Sequence, residues 1–314
     1  MNETNEQGWE RKVLEQIAFE GLKESRRKRR WSVFFRALGF AYLGLVVFMF
    51  WNSGRGDGHV DGSSHTAVIK LEGVIGAGQE VKAEDVIPSL REAFENKSAK
   101  GVVLQINSPG GSPVQAGMIN DEIRRLRAKY PHKPVYAVVE DVCASGGYYI
   151  AVAAEKIFVD KASIVGSIGV RMDGFGFTGT MEKLGIERRS LTAGENKAFL
   201  DPFAPQNPKH VEFAQAMLGE IHKQFIDVVR QGREKRLKET PEMFSGLFWS
   251  GAKSIEMGLA DGYGTLDSVA RDLIKTKEVR DYTKRDNVAE RLAKRFGAGA
   301  SAGLSQTLER FAWR

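Results

Sequence analysis

Apolar residues fall along this chain in distinct rhythms. From Trp31 to Trp51 the run WSVFFRALGFAYLGLVVFMFW is apolar over 21 residues and carries one charge, Arg36. At about 1.5 Å of helical rise per residue, such a run spans a hydrocarbon core of about 30 Å. Tryptophan at each end suits the two interfaces, and Arg36 can snorkel to the nearer one. The run is too long for a signal peptide and ends without a small-x-small cleavage site. Past residue 65 short apolar runs alternate with amphipathic stretches. The runs predict strands at 67–71, 101–106, 135–139, 156–159, 164–170 and 187–191. The stretches predict helices at 83–95, 114–129, 145–154 and 180–184, then a long one at 208–237 and a short one at 252–257. This alternation predicts an α/β domain with largely parallel pairing.

The segments between and beyond have no such rhythm. Residues 52–65 are polar and glycine-rich, a flexible linker. Residues 285–314 read as a basic amphipathic helix, a Gly-Ala break at 297–303 and a second short helix. The predicted organisation is an N-terminal segment 1–30, a transmembrane helix 31–51, the linker 52–65, a folded domain 66–275 and a basic tail 276–314.

Charge changes the picture by its distribution. The net charge of +6 is concentrated at the ends: residues 1–36 hold 9 Lys+Arg against 6 Asp+Glu, and residues 275–314 hold 10 against 5. The interior is left with 27 against 29, so the folded body lacks the basic face that nucleic-acid binding requires. Arg26, Arg27, Lys28, Arg29 and Arg30 directly precede the membrane run. Positive charge resists translocation, which puts the N-terminus in the cytoplasm and residues 52–314 on the outer, periplasmic side of the cytoplasmic membrane. A single cysteine, Cys143, excludes an internal disulfide.

The chemistry gathers in two glycine-rich loops. The strand at 101–106 runs into Asn107-Ser108-Pro109-Gly110-Gly111-Ser112 and then a helix; the strand at 135–139 runs into Ala144-Ser145-Gly146-Gly147 and then a helix. Each gathers free backbone N–H groups at a helix N-terminus, suited to a phosphate or to the oxyanion of a tetrahedral intermediate. Each could equally be an ordinary turn with an N-cap serine. Together, on successive strands, they favour a site with Ser145 as a nucleophile. Its base is open between histidine, with His132 and His210 the nearest, and lysine. Lys197 lies in the non-periodic run 192–203, where Phe199, Leu200 and Phe203 could wall it off from water. To act as a base near neutral pH a lysine must drop about 3 units from roughly 10.4, a change of roughly 4 kcal/mol that burial can supply.

The ordered motifs Asn107–Gly111, Ala144–Ala151, Val165–Val170, Ala193-Gly194 with Lys197 and Asp201-Pro202-Phe203, and Gly251-Ala252 with Gly258–Asp261 closely resemble the signal peptide peptidase A family, peptidase family S49. The resemblance covers roughly residues 66–274 and is to the short, single-domain, membrane-anchored form. It implies a Clp protease/crotonase-like fold of repeated ββα units, and 66–275 as a serine peptidase domain. It implies a Ser-Lys dyad, with Ser145 as nucleophile, Lys197 as general base and Ser167 hydrogen-bonded to the base to orient it. Backbone N–H groups of Gly110, Gly111 and Gly146 would form the oxyanion hole. It also implies no cofactor or metal, cleaved signal peptides and unfolded hydrophobic peptides as substrates, contact with cytoplasmic membrane lipid, and a ring-shaped homo-oligomer. Two departures stand out: Ala260 replaces the usual valine of the Gly-Leu-Val-Asp motif, and Glu195-Asn196 precede Lys197 where an aromatic or histidine is common.

Other patterns compete. The run Gly174-Phe175-Gly176-Phe177-Thr178-Gly179 has the glycine spacing of a dinucleotide fingerprint, but the helix after it is short. Ser250-Gly251-Ala252-Lys253 has the Ser-x-x-Lys spacing of penicillin-recognising enzymes without their partner motifs. A crotonase-like acyl-CoA hydratase or isomerase would use the same paired donors for a thioester oxyanion, and a non-catalytic membrane scaffold would keep only the fold.

Overall fold

The structure is a computed structural model that describes residues 26–48 and 62–284, which fall in two compact units. In the first, α1 (Arg26–Phe48) is one 23-residue helix, long and apolar enough to cross a membrane. It begins inside the basic run, five residues before the predicted segment, because arginine and lysine are good helix formers and nothing there breaks a helix. Its apolar side chains, Phe34, Phe40 and Phe48 among them, are exposed, as suits a helix whose apolar surroundings are lipid. The predicted N-terminal segment up to residue 25, the end of the predicted transmembrane run at 49–51, residues 52–61 of the predicted linker and the tail helices after 284 lie outside the described residues.

The second unit is built on an eight-stranded sheet. Its strands are β1 (His65–Ile75), β2 (Ala99–Gly111), β3 (Val135–Ala144), β4 (Lys156–Val159), β5 (Ile164–Gly166), β6 (Phe248–Ser250), β7 (Gly262–Tyr263) and β8 (Glu278–Asp281). The order is β6-β5-β3-β2-β1-β8, with β4 beside β3 and β7 beside β4. All pairings are parallel except β5 with β6. The crossovers use α2 (Ala83–Glu95), α3 (Pro113–Lys129) and α4 (Gly146–Ala151). The mixed α/β architecture expected of the class is present.

Strand periodicity divides the side chains between two cores. Ile69 and Leu71 of β1 and Leu104 and Ile106 of β2 pack with Leu90 and Phe94 of α2 and Ile119 and Ile123 of α3. The alternate positions Val68, Val103 and Val138 meet Val269 and Ile274 on the opposite face. Successive side chains in a strand point to opposite faces, so a strand covered on both reads as an unbroken apolar run. Each such side chain, fully buried, contributes about 1.5–3 kcal/mol.

The remaining elements wrap this frame: α5 (Thr178–Lys183), α6 (Pro208–Arg233), α7 (Gly251–Glu256) and α8 (Leu266–Ser268), which runs on into a π-helical turn (Val269–Ile274). Asn207 caps α6, its side chain accepting from Lys209 N, with Pro208 at the first position. The far end of α6 is pinned by Arg233, 1% exposed, which donates to both Asp261 oxygens at 2.7 and 3.0 Å and to Gly258 O at 2.8 Å. Burial pushes the Asp261 pKa up, but Arg233 outweighs it and holds the carboxyl below its ordinary value. Tyr148 of α4 donates its hydroxyl proton to Leu259 O at 2.8 Å. The Gly258–Asp261 motif is thus the clasp between α4 and α6.

Several expectations are corrected. The strand predicted at 187–191 does not form: the stretch is exposed throughout, Leu191 fully, and has no buried face to reward a strand. The strand predicted at 164–170 stops at Gly166, because Ser167 turns into a left-handed conformation with φ 52°. Within residues 276–314, expected as a tail, β8 pairs in parallel with β1. Thr276 and Thr66 share a buried hydrogen bond of 2.5 Å, and Tyr282 bonds His65 at 2.8 Å, so this stretch is part of the domain.

Candidate active site

Ser145 stands where β3 ends and α4 begins. Its own N–H donates to Gly166 O at 2.9 Å, and its backbone has φ 49° and ψ −120°. A left-handed φ on a serine is a strained state, of order 1–3 kcal/mol, that persists only where neighbours enforce it. The neighbours here are glycines. A Cβ on Gly110 would lie 2.6 Å from Ser145 Cβ and 2.7 Å from Gly146 N, so the end of β2 presses against the serine turn only because Gly110 has no side chain. A Cβ on Gly146 would lie 3.2 Å from Gly111 N, which brings those two amide-bearing residues face to face.

Donor satisfaction separates Gly110 from Gly146. The Gly110 N–H is occupied, donating to Ser108 Oγ at 3.1 Å. Ser108, wholly buried, donates its own proton to Gly73 O at 2.6 Å and serves the turn. Gly146 is the first residue of α4, so its N–H has no acceptor inside the helix. The Gly110 N–H is thus engaged in its own turn, whereas the Gly146 N–H, at the start of α4 and facing Gly111, has no helical acceptor. Cys143 is fully buried, and burial pushes its thiol pKa up, so the sulfur stays protonated and inert.

Ser167 is brought close to Ser145 by strand pairing: Ala144 faces Gly166 in the β3–β5 ladder. Ser167 has the second strained serine backbone and donates its N–H to Leu247 O at 2.7 Å. Lys197 is placed differently. It closes a turn, N–H to Gly194 O at 3.1 Å, and its side chain is exposed. No hydrogen bond joins Lys197 to Ser145 or Ser167 among the described residues. The histidines do not supply a base instead. His132 is exposed on a turn, and His210 bonds Asn196 Oδ1 at 3.2 Å and Leu200 N at 3.4 Å.

Sequence reading missed His222, whose Nε2 bonds Ile168 O at 3.1 Å, next to Ser167. A histidine midway along a long amphipathic helix carries no local signal of that contact. The competing motifs resolve into structure. Gly174 and Gly176 lie on an exposed loop followed by a six-residue helix, too short for a dinucleotide site. Ser250 caps α7 by accepting from Lys253 N, while Lys253 Nζ pairs with Glu256 at 2.9 Å.

Residues 127–280 match the model of peptidase family S49. The chain is 32% identical over 236 residues to "Putative protease MJ0651" of Methanocaldococcus jannaschii, covering 73% of this chain and 75% of that protein. The chain belongs to peptidase family S49. It is of the signal peptide peptidase A type: it is 29% identical over 233 residues to "Putative signal peptide peptidase SppA" of Enterococcus faecium, covering 71% and 67%. It is also 47% identical over 195 residues to "Na(+)/H(+) antiporter NhaA" of Brucella melitensis, 61% of this chain but 26% of that protein. The chain thus spans about a quarter of the length of that relative.

Proposed function

We propose that the protein is a membrane-anchored serine endopeptidase, its catalytic domain outside the cytoplasmic membrane, acting on cleaved signal peptides and other unfolded hydrophobic segments. The observation that carries this reading is the strained Ser145 turn, interlocked with Gly110 and Gly111, in a chain of family S49. Ser145 Oγ attacks the peptide carbonyl carbon while Lys197 Nζ takes its proton. The tetrahedral oxyanion accepts hydrogen bonds from the Gly111 and Gly146 amides, of which one alone is worth about 10²–10³ in rate. Collapse of the intermediate expels the amine, which takes the proton from Lys197. Water then attacks the acyl-enzyme, Lys197 again taking the proton. Ser167, beside Ser145 in the ladder, holds the amine in line.

A lysine works as a base only where apolar surroundings favour its neutral form. Lys197 is exposed in one chain, and the same surface exposes Phe175 at 79% and Phe213 at 65%. A second copy, covering these side chains and bringing Lys197 to Ser145, would complete the site in a ring. A membrane anchor suits the substrates, since tethering concentrates enzyme where hydrophobic peptides are released.

The test uses the full-length protein in detergent micelles, a fluorogenic peptide and a serine-reactive fluorophosphonate. Ser145→Ala and Lys197→Ala each abolish turnover with the fold intact, and only wild type is labelled. Mixing the two variants restores part of the activity if the dyad forms between copies. Turnover retained by either variant alone overturns the dyad.

A further inference from the structure

We infer that His210 is a positioning residue for the loop that carries Lys197, an inference that rests on Lys197 being the base. His210 lies in the first turn of α6, half-buried against residues 194–203. The Leu200 N–H donates to Nδ1 at 3.4 Å, so that nitrogen must carry a lone pair. The proton of the neutral ring then sits on Nε2, which donates to Asn196 Oδ1 at 3.2 Å. The two bonds are mutually consistent with one tautomer, and they fall on either side of Lys197, at the residue before it and three residues after it.

Two further observations support the clamp. The Phe199 ring lies against the imidazole with centroids 5.0 Å apart, so the histidine also holds the loop by its face. Leu200 has φ 50°, a conformation a branched side chain avoids unless its surroundings enforce it. The loop is also held by its own turns, Lys197 N to Gly194 O and Asp201 N to Ala198 O, by the Phe177 N–H on Pro202 O at 2.8 Å, by Arg188 on Asp201 at 3.2 Å, and by the Phe199 ring edge-on to Phe213 of α6 at 5.8 Å between centroids. Among the described residues, His210 is the one α6 side chain hydrogen-bonded to residues 194–200. The clamp therefore registers the base-bearing loop on the helix whose other end is fixed by Arg233. His210 touches no reacting group itself: both ring nitrogens are spent on the loop.

The test compares His210→Leu, which loses both bonds, with His210→Asn, whose amide oxygen stands near the Nδ1 position and can still accept from Leu200. The full-length protein is used in micelles, with amide hydrogen exchange of peptides covering 194–203 and steady-state kinetics as readouts. In His210→Leu, exchange at 194–203 rises about tenfold while exchange in β2 and β3 stays unchanged. Its kcat falls roughly tenfold to a hundredfold with KM within about twofold, the signature of a misplaced group rather than lost substrate binding. His210→Asn recovers most of the protection and most of kcat. Unchanged exchange in His210→Leu, a loss confined to KM, or no rescue by His210→Asn overturns the inference. Should Lys197→Ala retain turnover, the base assignment fails separately, and the exchange data alone decide the clamp.

Discussion

Around Ser145 the chain is packed against itself on every side: Gly110, Gly146 and Gly147 are buried, Cys143 is fully covered, and the serine backbone is bonded to Gly166. Around Lys197 the same chain leaves a lysine, an aromatic cluster and a leucine facing outward, with His210 as the α6 side chain hydrogen-bonded to the loop. The nucleophile half of the proposed site is finished by folding; on the proposal above, the base half is completed by assembly. That difference makes a prediction about where substitutions act. Changes to the glycine packing of the first half should lower stability and turnover together, whereas loss of the Ser145 hydroxyl or changes in the second half should remove turnover and leave the fold alone.

The largest effect is expected from Gly111→Ala. Its Cβ would lie 2.0 Å from Ile75 O, at φ +147°, so the side chain meets backbone that cannot rotate away. Overpacking and backbone strain together destabilise by about 3–5 kcal/mol. Turnover should vanish, and chemical denaturation should show the loss directly. A variant with wild-type stability would mean the end of β2 is not packed against Ile75 of β1 as described.

Next comes Asp261→Asn. The change leaves Arg233 buried with a neutral partner, and breaking a buried pair from one side costs about 3 kcal/mol or more. Because Arg233 fixes the far end of α6, the same variant should loosen 194–203 in hydrogen exchange and slow fluorophosphonate labelling, while exchange in β2 and β3 stays unchanged. Loss of labelling with an unaltered loop would break the separation between the halves.

The same division governs what was legible in the sequence. The central strands were readable because covered strands are unbroken apolar runs: Val102, Val103 and Leu104 are each 0% exposed. The Ser145 turn was readable because glycines mark it. β7 is two residues long, and β8 carries Glu278, Arg280 and Asp281, so neither has an apolar rhythm, and both are recruited by neighbours distant in sequence. The 187–191 stretch has strand-like composition but is exposed throughout and buries no face. His210 and His222 were opaque as positioning groups, because their partners are fixed by the path of α6 and not by local spacing.

A smaller effect sits in α3, which opens from the Gly111 loop. Arg125, then Arg91, hold the Glu122 pKa down to about 2 against the opposing effect of burial. A carboxylate with a depressed folded pKa contributes stability above its unfolded value, near 4.3, and loses it as pH falls toward 2. The contribution is roughly 1–2 kcal/mol, since both arginines are about half exposed and screened by water. Denaturation midpoints should fall between pH 5 and pH 3, and Glu122→Gln should flatten that fall. An identical slope in the variant would locate the acid sensitivity elsewhere.

The smallest stability effect and the sharpest test of the comparison come together in the exposed loop. Leu191 is fully exposed and Phe175 79% exposed, so replacing either with serine removes no buried contact within the chain. Surface changes of this kind shift stability by no more than about 0.5 kcal/mol. If a second copy covers these side chains, Leu191→Ser and Phe175→Ser should nevertheless reduce the assembled mass in light scattering and lower turnover in parallel. Fluorophosphonate labelling would then return at high protein concentration, where mass action drives association. A variant that stays fully active as a monomer would show that one chain brings Lys197 to Ser145 by moving its own loop, and the base half would be incomplete only until substrate arrives.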